Sequence, residues 1–355
     1  MRIYLCLLLS FFLSKVFAQN DSTKTLTFSG YGELYYSQDF TKVVDEEKPN
    51  FIYNHKKLGV IQMNLAFVKA SYTEQKLRGN LAIMAGNYAR YNLSGEPPWA
   101  RIIYEANVGL KLTEKKNLWL DAGVMPSHIG FESAVGVDCW TLTRSLLAEN
   151  SPYFETGLKL SSTSKNEKWN AAFLVLNGWQ KIEMPSGINK PSYGLQINFK
   201  PGSNVTLNYS NFLGSDKPDS LSTIRVFHNL YAQIQATEKL GFLLGFDVGS
   251  EQIKSSKGKI WYSPVIISRF QINENNTLAA RLEYYKDPKG IIVSTNTKNG
   301  FQTFGYSLNY DFRLSEKMIF RIEAKKYQAK DAIFYEKGTP SKQNFSITTA
   351  LTLKL

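Results

Sequence analysis

FGYSLNYDFRLSEKMIFRIEAKKYQ, residues 304–328, decides the fold. Phe304, Tyr306, Leu308, Tyr310 and Phe312 alternate with Gly305, Ser307, Asn309, Asp311 and Arg313. After Ser315-Glu316 the period resumes, with Phe320 and Ile322 opposing Arg321 and Glu323. A period of two puts one kind of side chain on each face of a strand. The stretch is a hairpin with an apolar face and a polar, charged face.

The same pattern continues in both directions. Runs at 25–40, 60–72, 76–90, 102–112, 117–127, 154–163, 169–182 and 193–200 alternate in the first part of the chain. Runs at 205–210, 223–236, 240–251, 259–271, 277–286, 304–313, 317–328 and 345–355 follow. Short turns such as Thr73-Glu74-Gln75, Glu114-Lys115-Lys116 and Asn273-Glu274-Asn275 alternate with longer loops. The longer loops are 41–59, 91–101, 128–152, 183–190, 214–222, 252–258, 287–299 and 329–342.

That strict alternation has no purpose in a soluble sandwich. It is the rule of a bacterial outer-membrane barrel, with short periplasmic turns, long external loops and an even strand number. The strands suit the roughly 9–11 tilted residues that a bilayer needs. Closure leaves no open backbone edge in lipid. The sequence therefore predicts an all-β, transmembrane, antiparallel up-and-down barrel of about sixteen strands. Its termini lie on the short-turn side.

The start of the chain fits that compartment. Arg2, the apolar run Ile3–Phe12 and Val16-Phe17-Ala18 have the form of a secretory signal peptide. Residues 1–18 are expected to be removed and 19–355 to form the barrel. The mature chain would carry 40 basic and 30 acidic residues and one cysteine, Cys139. One cysteine excludes an internal disulfide framework. The three histidines are not spaced as metal ligands. No motif points to a metal, a cofactor or nucleic acid.

Alternation assigns faces. Apolar residues go to lipid. Glu33, Arg78, Glu105, Lys111, Asp121, Glu155, Lys159, Lys200, Asp247, Arg269, Arg281, Glu283, Asp311, Arg313, Arg321 and Glu323 go to the lumen, eight basic and eight acidic. The positive excess is then expected on loops and turns, where it can meet lipopolysaccharide phosphates. A barrel this wide is expected to hold water. Tyr35, Tyr36, Trp99, Tyr104, Trp119, Trp169, Trp179, Trp261 and Tyr284 are candidates for interfacial girdles.

HIGFESAVGVDCWTLTRSLLAENSPY, residues 128–153, breaks the alternation while keeping large apolar residues. It is the third long loop. A helix over Trp140–Ala148, capped by Asp138 or Thr141, is expected in it. With Trp140, Leu146 and Leu147 docked in the lumen, His128, Glu132, Asp138, Arg144 and Glu149 would form a charged constriction. Arg144 would project into the water path and favour anions.

Several stretches resemble the outer-membrane family called putative β-barrel porin-2, OmpL-like. They are NLAFVKASY (64–72), NLAIMAGNYA (80–89), IYEANVGLKL (103–112), NLWLDAGVMPSHIGFESA (117–134), DCWTLTRSLLAENSPYFETGLKL (138–160) and LNGWQ (176–180). The resemblance covers roughly residues 28–200 and implies an outer-membrane barrel with a channel role. Leu355 departs from the aromatic residue on which bacterial barrels ordinarily end. In the sixteen-stranded porins that this architecture resembles, the third loop folds inward.

The function expected is passive diffusion of small hydrophilic solutes or ions. The alternative is a surface adhesin, receptor or structural barrel without an open pore. A lesser alternative is a phosphate- or anion-selective porin, because GVMPSHIG (123–130) resembles the stretch leading into the constriction of such porins. Catalysis has little support. Ser127 and His128 are neighbours on a strand and point to opposite faces, and His228 has no serine partner. The expected partners are outer-membrane lipid and lipopolysaccharide, the barrel-assembly machinery and further copies of the chain.

Overall fold

Strand after strand pairs with its sequence neighbour until the first meets the last. The computed structural model describes residues 24–41, 46–254, 257–336 and 338–355. The expected signal peptide lies outside the described residues. The first eight strands are β1 (Thr25–Asp39), β2 (Ile61–Thr73), β3 (Leu77–Ala85), β4 (Ile103–Lys111), β5 (Asn117–Pro126), β6 (Phe154–Thr163), β7 (Trp169–Leu176) and β8 (Ser192–Gly202). They lead into β9 (Val205–Gly214), β10 (Thr223–Gln235), β11 (Leu240–Ile253), β12 (Lys259–Gln271), β13 (Asn276–Asp287), β14 (Phe301–Arg313) and β15 (Met318–Ala329). A hairpin of β16 (Phe334–Glu336) and β17 (Thr339–Ser341) forms a separate small sheet before β18 (Gln343–Lys354).

Sixteen of these strands form a closed antiparallel barrel, sealed where β1 pairs with β18. Gly30 and Leu355 exchange backbone hydrogen bonds of 3.2 and 2.8 Å at that seam. The alternation of β14 becomes an alternation of environment. Phe304, Tyr306 and Leu308 face outward and are exposed, while Thr303, Gly305, Ser307 and Asn309 face inward and are buried. No helix among the described residues is long and apolar enough to cross a membrane.

The third and seventh strands end before the sequence reading, and the ninth runs past it to Gly214. The third strand stops at Ala85 rather than near residue 90. Gly86 has φ 118°, and a Cβ there would sit 2.5 Å from the Asn64 carbonyl oxygen, so the chain turns away. A short helix, Asn87–Asn92, follows in the second long loop. The seventh strand ends at Leu176, because Trp179 turns inward and its backbone N–H binds the Asp216 carboxylate at 2.7 Å.

Several girdle assignments also change. Trp99 and Trp169 stand out from the barrel. Tyr35 and Trp261 are buried inward, and Trp179 packs beside Phe212 and Phe227 inside. Trp119 lies under the Arg78 guanidinium, 4.3 Å from its centre. A bulge between Ala82 and Ile83 leaves Tyr104 without a cross-strand partner and turns it to stack on Phe67. Tyr35, Tyr104, Trp119, Trp179 and Trp261 therefore face the lumen instead of an interfacial girdle.

Candidate functional site: the loop across the lumen

The third long loop runs across the interior of the barrel and back. Its two arms are tied at the start, where the Ser127 N–H donates to the Tyr153 carbonyl (3.0 Å). His128 is the first anchor. Its Nδ1 lies 2.7 Å from Glu155 Oε2 on β6, and its Nε2 lies 2.7 Å from the Asn211 carbonyl on β9. The His128 carbonyl accepts from Gln196 Nε2 and Ser210 Oγ, each at 2.7 Å.

The wall makes room for this ring. A Cβ on Gly194 would stand 2.5 Å from His128 Nε2. The Asn211 carbonyl turned to His128 leaves the Leu195 N–H of the neighbouring strand, which the Asn211 side chain accepts instead (2.9 Å). Phe131 uses Gly245 in the same way, because a Cβ there would lie 2.5 Å from its ring.

The far end of the loop is sewn to the opposite wall through its backbone. Irregular backbone taken from water needs a partner for each N–H and C=O. Here wall side chains supply them. Tyr31 Oη accepts from Gly136 N (2.9 Å), Asn309 Oδ1 from Leu142 N (2.9 Å), Glu323 from Thr143 N (2.5 Å) and Glu283 from Leu146 N (2.6 Å). Arg321 donates to the carbonyls of Gly136 and Cys139, and Arg281 to that of Thr143. Lys325 Nζ donates to the Arg144 carbonyl (2.8 Å). Each such bond contributes about 0.5–1.5 kcal/mol net, and more where a charge takes part.

Apolar contacts reinforce the seam. Trp140 and Leu147 pack with Leu243, Val265 and Ile267, and Leu142 packs between Tyr35 and Ala350. The docking expected for Trp140, Leu146 and Leu147 is present, for all three are buried.

The expected helix is not. Residues Gly136–Asp138 form one 3-10 turn and Leu146–Glu149 one α-turn, capped by Ser145 Oγ, which accepts from Ala148 N at 3.2 Å. Residues 139–145 stay open, with the backbone of Cys139, Leu142, Thr143 and Arg144 held by wall side chains and that of Ser145 by Glu132.

The five residues expected to line a constriction separate. Arg144 is fully buried and donates to the carbonyls of Ser133 (2.7 Å), Ala134 (3.0 Å) and Leu142 (2.7 Å). It ties the loop to itself and does not project into a water path. Glu132 binds the Ser145 N–H and hydroxyl. Glu149 accepts from Tyr53 N and Asn54 N, at 2.8 and 3.2 Å. Burial raises the pKa of both carboxyls. Asp138 is half exposed and pairs with Lys354 (2.8 Å). His128 is buried at its anchor. A cavity of about 150 Å³ between the loop arms and β4 is lined by Glu132, Ser133, Tyr88, Tyr104, Phe131 and Tyr153 among others. Of the five, Glu132 alone borders it, so the cavity has a single charged side chain in its lining.

The expected wall residues divide in the same way. Glu33, Glu105, Asp121, Glu155, Arg281, Glu283, Arg321 and Glu323 are buried. Arg78, Lys111 and Lys159 are part-exposed, and Arg313 is exposed at the short-turn rim rather than in the wall proper.

Residues that sequence reasoning missed lie in the first long loop, which also folds inward. His55 Nε2 meets Glu33 Oε1 at 2.9 Å, and Lys57 N donates to Tyr35 Oη at 2.8 Å. Phe51 packs on Phe301, Tyr327 and Phe334. The pair Phe51-Ile52 inside a polar loop was the available signal. The third loop is therefore not alone in having apolar side chains that dock in the lumen.

The family model described as "Putative beta-barrel porin-2, OmpL-like" matches residues 25–355. The chain belongs to that family. Solved structures similar to this porin-2 barrel include an anion-selective porin from Comamonas acidovorans, at 10% identity and TM-score 0.62, covering 94% of this chain and 100% of that one. Salmonella typhi OmpF, in a complex with daunomycin, is 10% identical with TM-score 0.63, covering 95% and 99%. The outer membrane channel DcaP of Acinetobacter baumannii is 7% identical with TM-score 0.57, covering 95% and 99%. No curated protein matches the sequence. At these identities the structural likeness establishes the fold. The family places this porin-2 protein in the outer membrane as a porin-type barrel.

Proposed function

We propose that this barrel is a non-enzymatic outer-membrane channel for passive diffusion of small hydrophilic solutes or ions, with its third loop setting the constriction. One observation carries the proposal. The loop is held across the lumen by wall side chains of β9, β10, β13, β14 and β15, as an obstruction within the barrel. Residues 1–18 would direct export, and the barrel-assembly machinery would insert the mature chain. Outer-membrane lipid and lipopolysaccharide would surround it, and copies of the chain could assemble, as a trimer form is described for Vibrio cholerae OmpT. The test is liposome swelling with sugars of graded size. Flux that falls with solute size supports the channel.

A second reading has its own support. Several loops contribute buried side chains to the interior, among them Phe51, Tyr88, Leu146, Ile182 and Val293. That packing favours a structural or receptor barrel without an open pore. Sealed liposomes carrying correctly inserted protein would establish it instead.

A further inference from the structure

We infer that the lumen favours small anions, through a cationic wall that the loop leaves bare; this rests on the channel reading above. The sequence places eight acidic and eight basic residues on the inward face, which balances only if every charge is equally free. They are not.

All eight acids are engaged within the protein: five pair with a lysine or arginine and Glu155 with His128, while Glu33 and Asp247 keep their charge behind neutral donors in the buried wall. Glu33 accepts from Asn64 and Tyr31, Glu105 pairs with Lys69, and Asp121 takes Arg78 Nε at 2.7 Å. Glu155 holds His128, and Asp247 accepts from Asn229 at 2.5 Å. Glu283 and Glu323 bind loop N–H groups together with Lys325 and Arg281, and Asp311 holds Arg321.

The bases are not so committed. Arg78, Arg281 and Arg321 have carboxylate partners. Lys111, Lys159, Lys200 and Arg269 have none within ion-pairing distance among the described residues, and neither has Arg313, which lies at the short-turn rim outside the wall proper. Lys159 stands opposite Asp121 in the strand register, but that carboxylate is already taken by both arms of Arg78. Arg269 lies over the Trp140 ring, 4.6 Å from its centre, and keeps its full charge.

The loop adds no compensating free carboxylate, because Asp138, Glu132 and Glu149 are all bound. The short turns do carry glutamates, but lysines sit beside them, as Lys76 does beside Glu114 (2.6 Å). A surplus of one sign along a low-dielectric wall concentrates counterions and selects against co-ions. Among the wall charges that remain in contact with solvent, the surplus is positive.

The test is the reversal potential of the full barrel in a planar bilayer under a potassium chloride gradient. The native protein is expected to show chloride permeability several-fold above that of potassium. The triple variant Lys111→Glu, Lys159→Glu, Lys200→Glu is expected to reverse that preference at similar conductance. Because none of the three has a polar side-chain partner, the variant should keep the native gel shift on heating. The corresponding triple glutamine variant, which removes charge without adding any, should lie between the two. A native channel that prefers potassium, or a reversal potential unmoved in both variants, overturns the inference and leaves the channel reading intact. Inserted barrels without conductance overturn both.

Discussion

Two sectors of the same wall carry similar charges and use them differently. Arg281, Glu283, Arg321, Glu323 and Lys325, on β13 and β15, are fully or almost fully buried against the third loop. Lys111, Lys159 and Lys200, on β4, β6 and β8, remain in contact with solvent. In the first sector a charge replaces water as the partner of an irregular backbone, so its value is structural. In the second a charge has no protein partner, so its value is the field it exerts. Alternation identifies both as inward-facing and cannot separate them. What separates them is the path of the loop.

The largest effect should come from removing the object that defines the two sectors. Deleting residues 134–148 uncovers Arg281, Arg321 and Glu323 and removes the obstruction. Single-channel conductance is expected to rise several-fold. Unchanged conductance would mean that the loop lies outside the water path and that the two sectors do not differ in the way described.

Exchanging one residue from each sector for methionine sharpens the contrast. Arg281→Met strands Glu323 and Glu132 without their guanidinium, and breaking a buried charge network of this kind costs about 3–5 kcal/mol. Lys159→Met removes no ion pair and is expected to leave stability unchanged while moving the reversal potential. Denaturation of both variants in detergent, followed by the heat-dependent gel shift, measures the difference. Equal losses would show that the bare sector is also structural.

How much of this was legible in the sequence follows from the same contrast. Residues 304–328 gave the strand period, and turn lengths gave sixteen strands, because both are local consequences of a pleated backbone with one wet face. The docking of Trp140, Leu146 and Leu147 was legible as large apolar residues in a loop. Arg144 was not, since its fate depends on the carbonyls of Ser133, Ala134 and Leu142 closing around it. The inward turn of Tyr104 needed the bulge opposite Ala82. The inward path of the first loop is not legible, because its anchors, His55 on Glu33 and Phe51 on Phe301, are contacts between distant parts of the chain. Arg144→Glu, which on the sequence alone would be a selectivity switch, is now expected to prevent the loop from folding. A stable variant with altered selectivity would restore the earlier reading.

A smaller effect tests the fit between loop and wall. Gly194→Leu and Gly245→Leu put side chains where His128 and Phe131 now lie. Overpacking of this kind costs about 1–3 kcal/mol. The loop's near arm should loosen while the barrel persists, read as faster protease cleavage between residues 128 and 135. Unaltered cleavage would show that the glycines are not what seats the arm.

The smallest effect concerns the proton on His128. Its Nδ1 faces a carboxylate and its Nε2 a carbonyl, and both partners only accept. A neutral imidazole has one N–H and satisfies one of them, while the imidazolium satisfies both. Burial alone would lower the histidine pKa, but the Glu155 charge and the two hydrogen bonds outweigh it and raise the value above the ordinary one. A raised folded-state pKa means that the anchoring is fully present below about pH 6.5, the ordinary histidine value, and is lost as pH climbs through the raised value. Alkaline buffer should therefore loosen the near arm and increase current noise, with little change in the bare sector. Glu155→Gln removes the charge that holds the proton, so its noise should be high already near neutral pH and vary little above it. The His128 ring, followed by NMR in micelles, should titrate above 6.5 in the native protein. A midpoint below that value would mean that the ring is neutral when docked and that the Asn211 carbonyl is held by something else.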